Sequence, residues 1–168
     1  IGEVLLRAGD ATAAGAWFES VGEAVPDTLQ ASRAVWLAGE AWFRAGQCKR
    51  VIEQLAPVSK SATLDPAAPA ALLSLAECQA RENRSNDAQV TLRHLWIKFP
   101  AVPESTEAYR RLSHGEHGGH WQPTQEDRFL RGLAMFNQSL LEGAVDELKK
   151  YLTAGMKDHR RMEVKLKL

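Results

Sequence analysis

The chain predicts an all-α fold, a solenoid of about four antiparallel helical hairpins plus one inserted helix, on three observations. The first is a repeat. Small residues stand at Gly2, Gly39, Ala76 and Gly132. Twelve positions after each comes Ala14, Val51, Ala88 or Ala144, four further on Phe18, Leu55, Leu92 or Leu148, and three beyond that Val21, Val58, Leu95 or Tyr151. The first two steps are 37 residues and the third is 56, longer by a 19-residue insertion; a fixed period of this size marks stacked helical units. The second is the near absence of period-two alternation, which argues against strands. The third is a regular supply of caps and breakers that cut the chain into helix-length segments.

Taken in order, a first helix ends near Ala8 and turns at Gly9-Asp10, and its partner covers 11–24. Pro26-Asp27-Thr28 breaks the chain and caps a helix over 28–45, which Gly46 ends. A helix over 47–56 stops at Pro57, and Val58 to Asp65 form a loop. Pro66 suits the first turn of a helix running to Glu82, because its missing N–H costs nothing there. The turn Asn83-Arg84-Ser85 leads to a helix over 86–98, and Phe99-Pro100-Ala101-Val102-Pro103 stops it. A short helix over 104–112 belongs to the irregular insertion of 101–123, which ends in a glycine- and histidine-rich loop. Thr124 then caps a helix over 125–138, with Glu126 and Asp127 near the positive end of its dipole. Its partner covers 141–153, and residues from 157 onward read as the start of a truncated repeat. Glycine inside a helix costs about 1 kcal/mol relative to alanine, so Gly39 and Gly132 need a reason, and close approach of the partner helix supplies one. The large residues Phe18, Leu55, Leu92 and Leu148 are expected to fill the space between hairpins.

The 168 residues suffice for a single helical-repeat domain, and 21 basic against 21 acidic residues leave no global attraction to nucleic acid or anionic lipid. No apolar run approaches the roughly 20 residues that span a bilayer. The chain begins without methionine, ends in Lys165-Leu166-Lys167-Leu168 and reads as a piece of something longer. Cys48 and Cys78 do not make a disulfide framework; two buried thiols are the expected reading, with a single bridge the alternative in an oxidising compartment.

The repeat residues resemble the tetratricopeptide repeat: a small residue in the first helix, an alanine early in the second, an apolar residue four later and a proline after it. Leu72, Leu75, Ala76, Ala88, Leu92, Leu95 and Pro100 fit best. Pro26 fits the first hairpin, while Val51, the early Pro57 and the period of 37 against the family's usual 34 depart from it. The resemblance implies a right-handed solenoid that binds a protein or peptide. A narrower likeness covers residues 85–153. Leu92-Arg93-His94-Leu95-Trp96-Ile97-Lys98-Phe99-Pro100, the helix from Glu104 to Leu112, and Gln122-Pro123-Thr124-Gln125-Glu126-Asp127-Arg128-Phe129 resemble soluble lytic murein transglycosylases. That likeness implies the non-catalytic helical region of a periplasmic, cell-wall-associated protein, with a lysozyme-like domain elsewhere in the parent chain. The family's glutamate–serine pair occurs here as Glu19-Ser20 and Glu104-Ser105, outside its motif. Both glutamates read as solvated helix residues, and the segment is expected to be no enzyme and to need no cofactor.

The candidate partner-binding residues lie on the first helices of the hairpins. They are Arg33, Trp36, Glu40, Phe43 and Arg44, then Leu73, Glu77 and Arg81, then Phe129, Phe136 and Asn137. Tryptophan and arginine favour binding hot spots, although the aromatics also serve to pack repeats together. Glu40 and Glu77 stand where tetratricopeptide domains that grip a terminal carboxylate use asparagine or basic residues, so the resemblance argues against that mode of capture. Trp17, Trp42, Trp96 and Trp121 read as core or joint residues. His114, His117 and His120, with Glu116 among them, have metal-binding composition but no regular scaffold, so a polar loop is the expected reading. The tail from Lys157 through Arg160, Arg161, Lys165 and Lys167 reads as an unpartnered helix rather than a nucleic-acid site. Three functions follow: a helical scaffold of a periplasmic lytic transglycosylase-like protein, a free-standing adaptor with a peptide in its groove (in the envelope or the cytoplasm), and a metal-binding role for the histidine loop.

Overall fold

The computed structural model describes residues 1–26, 28–60, 64–115 and 120–153. Among them the secondary structure is entirely helical: α1 (Gly2–Arg7), α2 (Ala11–Ala24), α3 (Leu29–Arg44), α4 (Cys48–Leu55), α5 (Ala68–Arg81), α6 (Ser85–Lys98), α7 (Pro103–His114), α8 (Gln125–Asn137) and α9 (Leu141–Thr153). Caps explain several starts. The Asp10 carboxylate accepts from the Ala13 N–H at 2.9 Å and the Thr28 hydroxyl from the Ala31 N–H at 3.0 Å. Thr124 and Asp127 form a reciprocal capping box at α8. The α5 helix begins two residues beyond Pro66, because Asp65 Oδ1 takes the Ala67 N–H at 2.8 Å and holds a turn there.

Four turns repeat the same backbone device. Gly9, Gly46, Asn83 and Ser139 have φ of +85°, +73°, +59° and +61°, and they fall on the same 37, 37 and 56-residue steps as the small-residue pattern. In each turn the next residue's N–H reaches back five positions: Asp10 to Leu5 O, Gln47 to Trp42 O, Arg84 to Gln79 O and Leu140 to Met135 O, at 2.7–3.0 Å. This left-handed ending satisfies carbonyls that the stopping helix would otherwise leave unpaired.

The repeat glycines meet the large residues sixteen positions on. A Cβ added at Gly2 would stand 2.5 Å from Phe18, at Gly39 2.5 Å from Leu55, and at Gly132 2.7 Å from Leu148. The close approach expected at Gly39 and Gly132 is therefore present. Phe18, Leu55 and Leu148 accordingly sit against the small residue of the preceding helix. Gly15 makes a similar contact with the Trp42 ring, bringing α2 against α3.

Consecutive helices pack on one another from α1 to α7 and again at α8–α9; α5 also contacts α3 and α7, and α8 packs on α6. The segment expected to be an insertion keeps the 37-residue register through α7. Ala31, Ala68 and Ser105 are buried, as are Ala34, Ala71 and Ala108, and Ala38, Leu75 and Leu112. The α7 helix packs on α5 and α6 as α5 packs on α3 and α4, so the register breaks between α7 and α8 rather than at Pro100. One hydrophobic core runs from α1 to α7, and a small second core of Phe129, Leu148 and Tyr151 lies between α8 and α9. Polar anchors join the two. Arg93 donates to the fully buried Asp127, Arg131 to the Trp96 and Pro100 carbonyls, and Gln138 to the Lys98 carbonyl.

The expectation of two free thiols is corrected: Cys48 at the start of α4 and Cys78 inside α5 form a disulfide, with Cα atoms 4.9 Å apart. Among the described residues no helix is long and apolar enough to cross a membrane. The expected helix beyond 157, with its basic residues, lies outside the described residues, as do Glu116 and His117.

Candidate functional site

Three helices in register place one face of each against the same space. The spacing of Ala70, Leu73, Ser74, Glu77 and Arg81 puts all five on one side of α5, and with Phe43 of α3 and Glu104 and Arg111 of α7 they line a cleft of about 480 Å³. Ala70, Leu73 and Phe43 give it an apolar floor. Three of its charges are linked: Glu77 accepts from Arg81 Nε at 3.0 Å and from Arg111 Nη1 at 3.0 Å, which ties α5 to α7. The Arg81 guanidinium lies 5.5 Å from the Phe43 ring centre, within reach of a cation–π attraction. Behind Arg111, Glu107 accepts from both Arg110 and Arg111, at 2.8 and 2.7 Å. The hydrogen bonds from Arg110 and then Arg111 hold its carboxyl down to about 2, against an ordinary value of 4.5.

Four residues expected at a binding face, Phe43, Leu73, Glu77 and Arg81, are thus brought together. Others are not. Trp36 is only 2% exposed and belongs to the main core, and Phe129 is 5% exposed with its ring 5.1 Å from that of Tyr151; both are corrected to packing residues. Glu40 and Arg44 pair with each other along α3, and Arg33 is exposed outside the cleft. Phe136 is half-buried and Asn137 exposed at the far end of α8.

The sequence reading missed Ala70, Ser74, Glu104 and Arg111. The register carried a signal for Arg111, which stands 37 residues after Ser74. The assignment of Glu104 and Glu19 as solvated helix residues is corrected. Glu104 is half-buried in the cleft wall, and Glu19 accepts from the buried Trp42 indole N–H at 2.7 Å. Trp17, Trp42, Trp96 and Trp121 all lie in the main core or against it. His120 Nδ1 hydrogen-bonds the Ser113 carbonyl oxygen at 2.6 Å, and His114 is exposed at the end of α7. Among the described residues no group of three or more His, Cys, Asp or Glu side chains is placed to hold a metal ion.

With this geometry in hand, comparison with known proteins finds no matching protein family, curated protein or solved structure.

Proposed function

We propose that this chain is a non-catalytic helical-repeat binding module, a right-handed solenoid of tetratricopeptide-like hairpins that holds a peptide or protein segment in the α3–α5–α7 cleft. The observation that carries the reading is convergence. Phe43, Leu73, Glu77 and Arg81, from two helices one repeat apart, meet Glu104 and Arg111 of α7 around a single cleft. The recurring left-handed turns and glycine–leucine contacts support the repeat architecture, and a repeat array offers extended surfaces to partners. An apolar floor with internally paired charges suits a segment that inserts one apolar side chain and exchanges hydrogen bonds with Glu77 and Arg111. The test is selection of peptides from a display library on the wild-type protein, followed by affinity measurement on variants. Ala70→Gln and Arg81→Ala should each weaken the selected peptides at least about tenfold, while Arg33→Ala leaves them unchanged. Peptides that bind all three variants alike would remove the cleft from the function.

A finer reading makes this module the helical region of a periplasmic lytic transglycosylase-like protein. The Cys48–Cys78 disulfide supports it, because such bonds persist in oxidising compartments. Thiol labelling of the protein taken from its native cells, with the bond found reduced, would count against the periplasm.

A further inference from the structure

The joint between the two hydrophobic cores holds a second cleft of different chemistry, about 340 Å³ in volume. One wall is aromatic. Tyr109 of α7, the most exposed of the group at 37%, stacks on Trp96 of α6 with ring centres 5.8 Å apart, and Trp121 packs edge-on against both. The other wall is cationic: Arg128 and Arg131 project from α8 and Lys150 from α9. Glu147 takes Arg128 at 3.2 Å and Lys150 at 3.3 Å, and among the described residues no carboxylate lies within 4.0 Å of Arg131. Arg131 is held instead by neutral groups, the Trp96 and Pro100 carbonyls and the Ser105 hydroxyl, with its guanidinium 4.4 Å over the Trp96 ring. A half-buried guanidinium without a carboxylate is costly in free energy, and burial pushes Arg131 down to about 10, against an attraction to Glu147 that raises it. It remains a cation at neutral pH.

We propose that this cleft binds an oxyanion, a carboxylate or a phosphate, carried on an aromatic or apolar stem. The oxyanion would meet the positive charge that Arg128 and Arg131 hold in excess of Glu147, beside Lys150 at the cleft wall, and the stem would lie against Tyr109 and Pro123. Arginine pairs such groups through a planar fork of donors, and the neighbouring aromatic surface selects against bare inorganic ions. The site is separate from the α3–α5–α7 cleft and does not depend on a peptide binding there.

Three probes test it, with the tryptophan indole N–H signals followed by NMR: N-acetyl-phenylalanine, phenyl phosphate and the neutral N-acetyl-phenylalanine amide. At least one anion is expected to shift the Trp96 and Trp121 signals saturably, with affinity falling as salt rises, and the amide to bind at least about tenfold more weakly. The anion that binds more tightly identifies the source. Arg131 supports the backbone around Pro100, so the variants avoid it. Arg128→Gln combined with Lys150→Gln should lose about tenfold in affinity, and Glu147→Gln should gain severalfold. Equal binding of the amide, affinity for inorganic phosphate matching that of phenyl phosphate (an adventitious ion only), no saturable shift with any probe, or unchanged affinity in the double variant would each overturn the proposal.

Discussion

Replacing Gly39 by alanine sets two effects of known sign against each other. Alanine is favoured over glycine inside a helix by about 1 kcal/mol, so by propensity alone the variant gains stability. The new methyl, however, would stand 2.5 Å from Leu55 Cγ and Cδ1 and 2.6 Å from Cδ2. Leu55 is fully buried, and because the branch carbon itself is struck, turning the terminal methyls does not relieve the clash. Overpacking a close-fitted core costs about 1–3 kcal/mol, and three carbons hit at once place this case toward the upper end. The net expectation is a loss of about 1–2 kcal/mol, or roughly 4 °C in melting temperature at this chain length. Gly22→Ala is the control. It lies in α2 with nothing within 4 Å of its added Cβ, so it should gain up to about 1 kcal/mol. Thermal and urea unfolding of both variants are the assay, and Leu55→Ala should cost less in the Gly39→Ala background than in the wild type. If Gly39→Ala stabilises as much as Gly22→Ala, helices α3 and α4 do not approach closely and the packing account of the repeat fails.

Other outcomes follow from the same structure. Gly46→Ala forces a side chain into the left-handed region at φ +73° and should cost about 1–2 kcal/mol, whereas Ser139→Gly, at φ +61°, should be neutral or gain stability; denaturant unfolding of the pair checks both. Reducing the Cys48–Cys78 bond, which closes a loop of 30 residues, should lower stability by about 3–4 kcal/mol on the chain-entropy account, and a calorimetric melt unchanged by reductant would contradict that. Glu107 titrates near 2 when folded, below its ordinary value, so its stabilising contribution is complete above the ordinary carboxylate range and disappears as pH falls through about 2. An NMR titration of its carboxyl should show that midpoint, and Arg110→Ala should raise it.

Helix limits were legible to within two residues because caps and breakers act locally: Thr28, Thr124, Gly46 and Pro103 each stop or start a helix using groups a few positions away. The pairing of Gly39 with Leu55 was legible as well, since a glycine in a helix calls for a nearby neighbour. Burial of individual aromatics was harder to read. Trp36 and Phe43 lie seven residues apart on α3 and share a stripe, yet Trp36 is enclosed by the main core while Phe43 borders the cleft. That difference depends on which helices flank each end of α3, and local sequence does not encode it. The role of α7 was obscured by composition, because Ser105 and Ser113 stand where earlier repeats have alanine or glycine, although Ala108 and Leu112 keep the register. The disulfide depended on a distance between α4 and α5, which a 30-residue spacing leaves open. Arg93, Arg131 and Gln138 act across 34, 35 and 40 residues, and no local pattern announces contacts of that kind.

The proposed binding role requires α3, α5 and α7 to present one cleft to a partner. Hydrogen–deuterium exchange with and without a library-selected peptide tests this most directly. Protection is expected around Phe43, across Ala70 to Arg81 and across Glu104 to Arg111, with α8 and α9 unaffected. Protection confined to α8 and α9, or spread evenly over all helices, would contradict it.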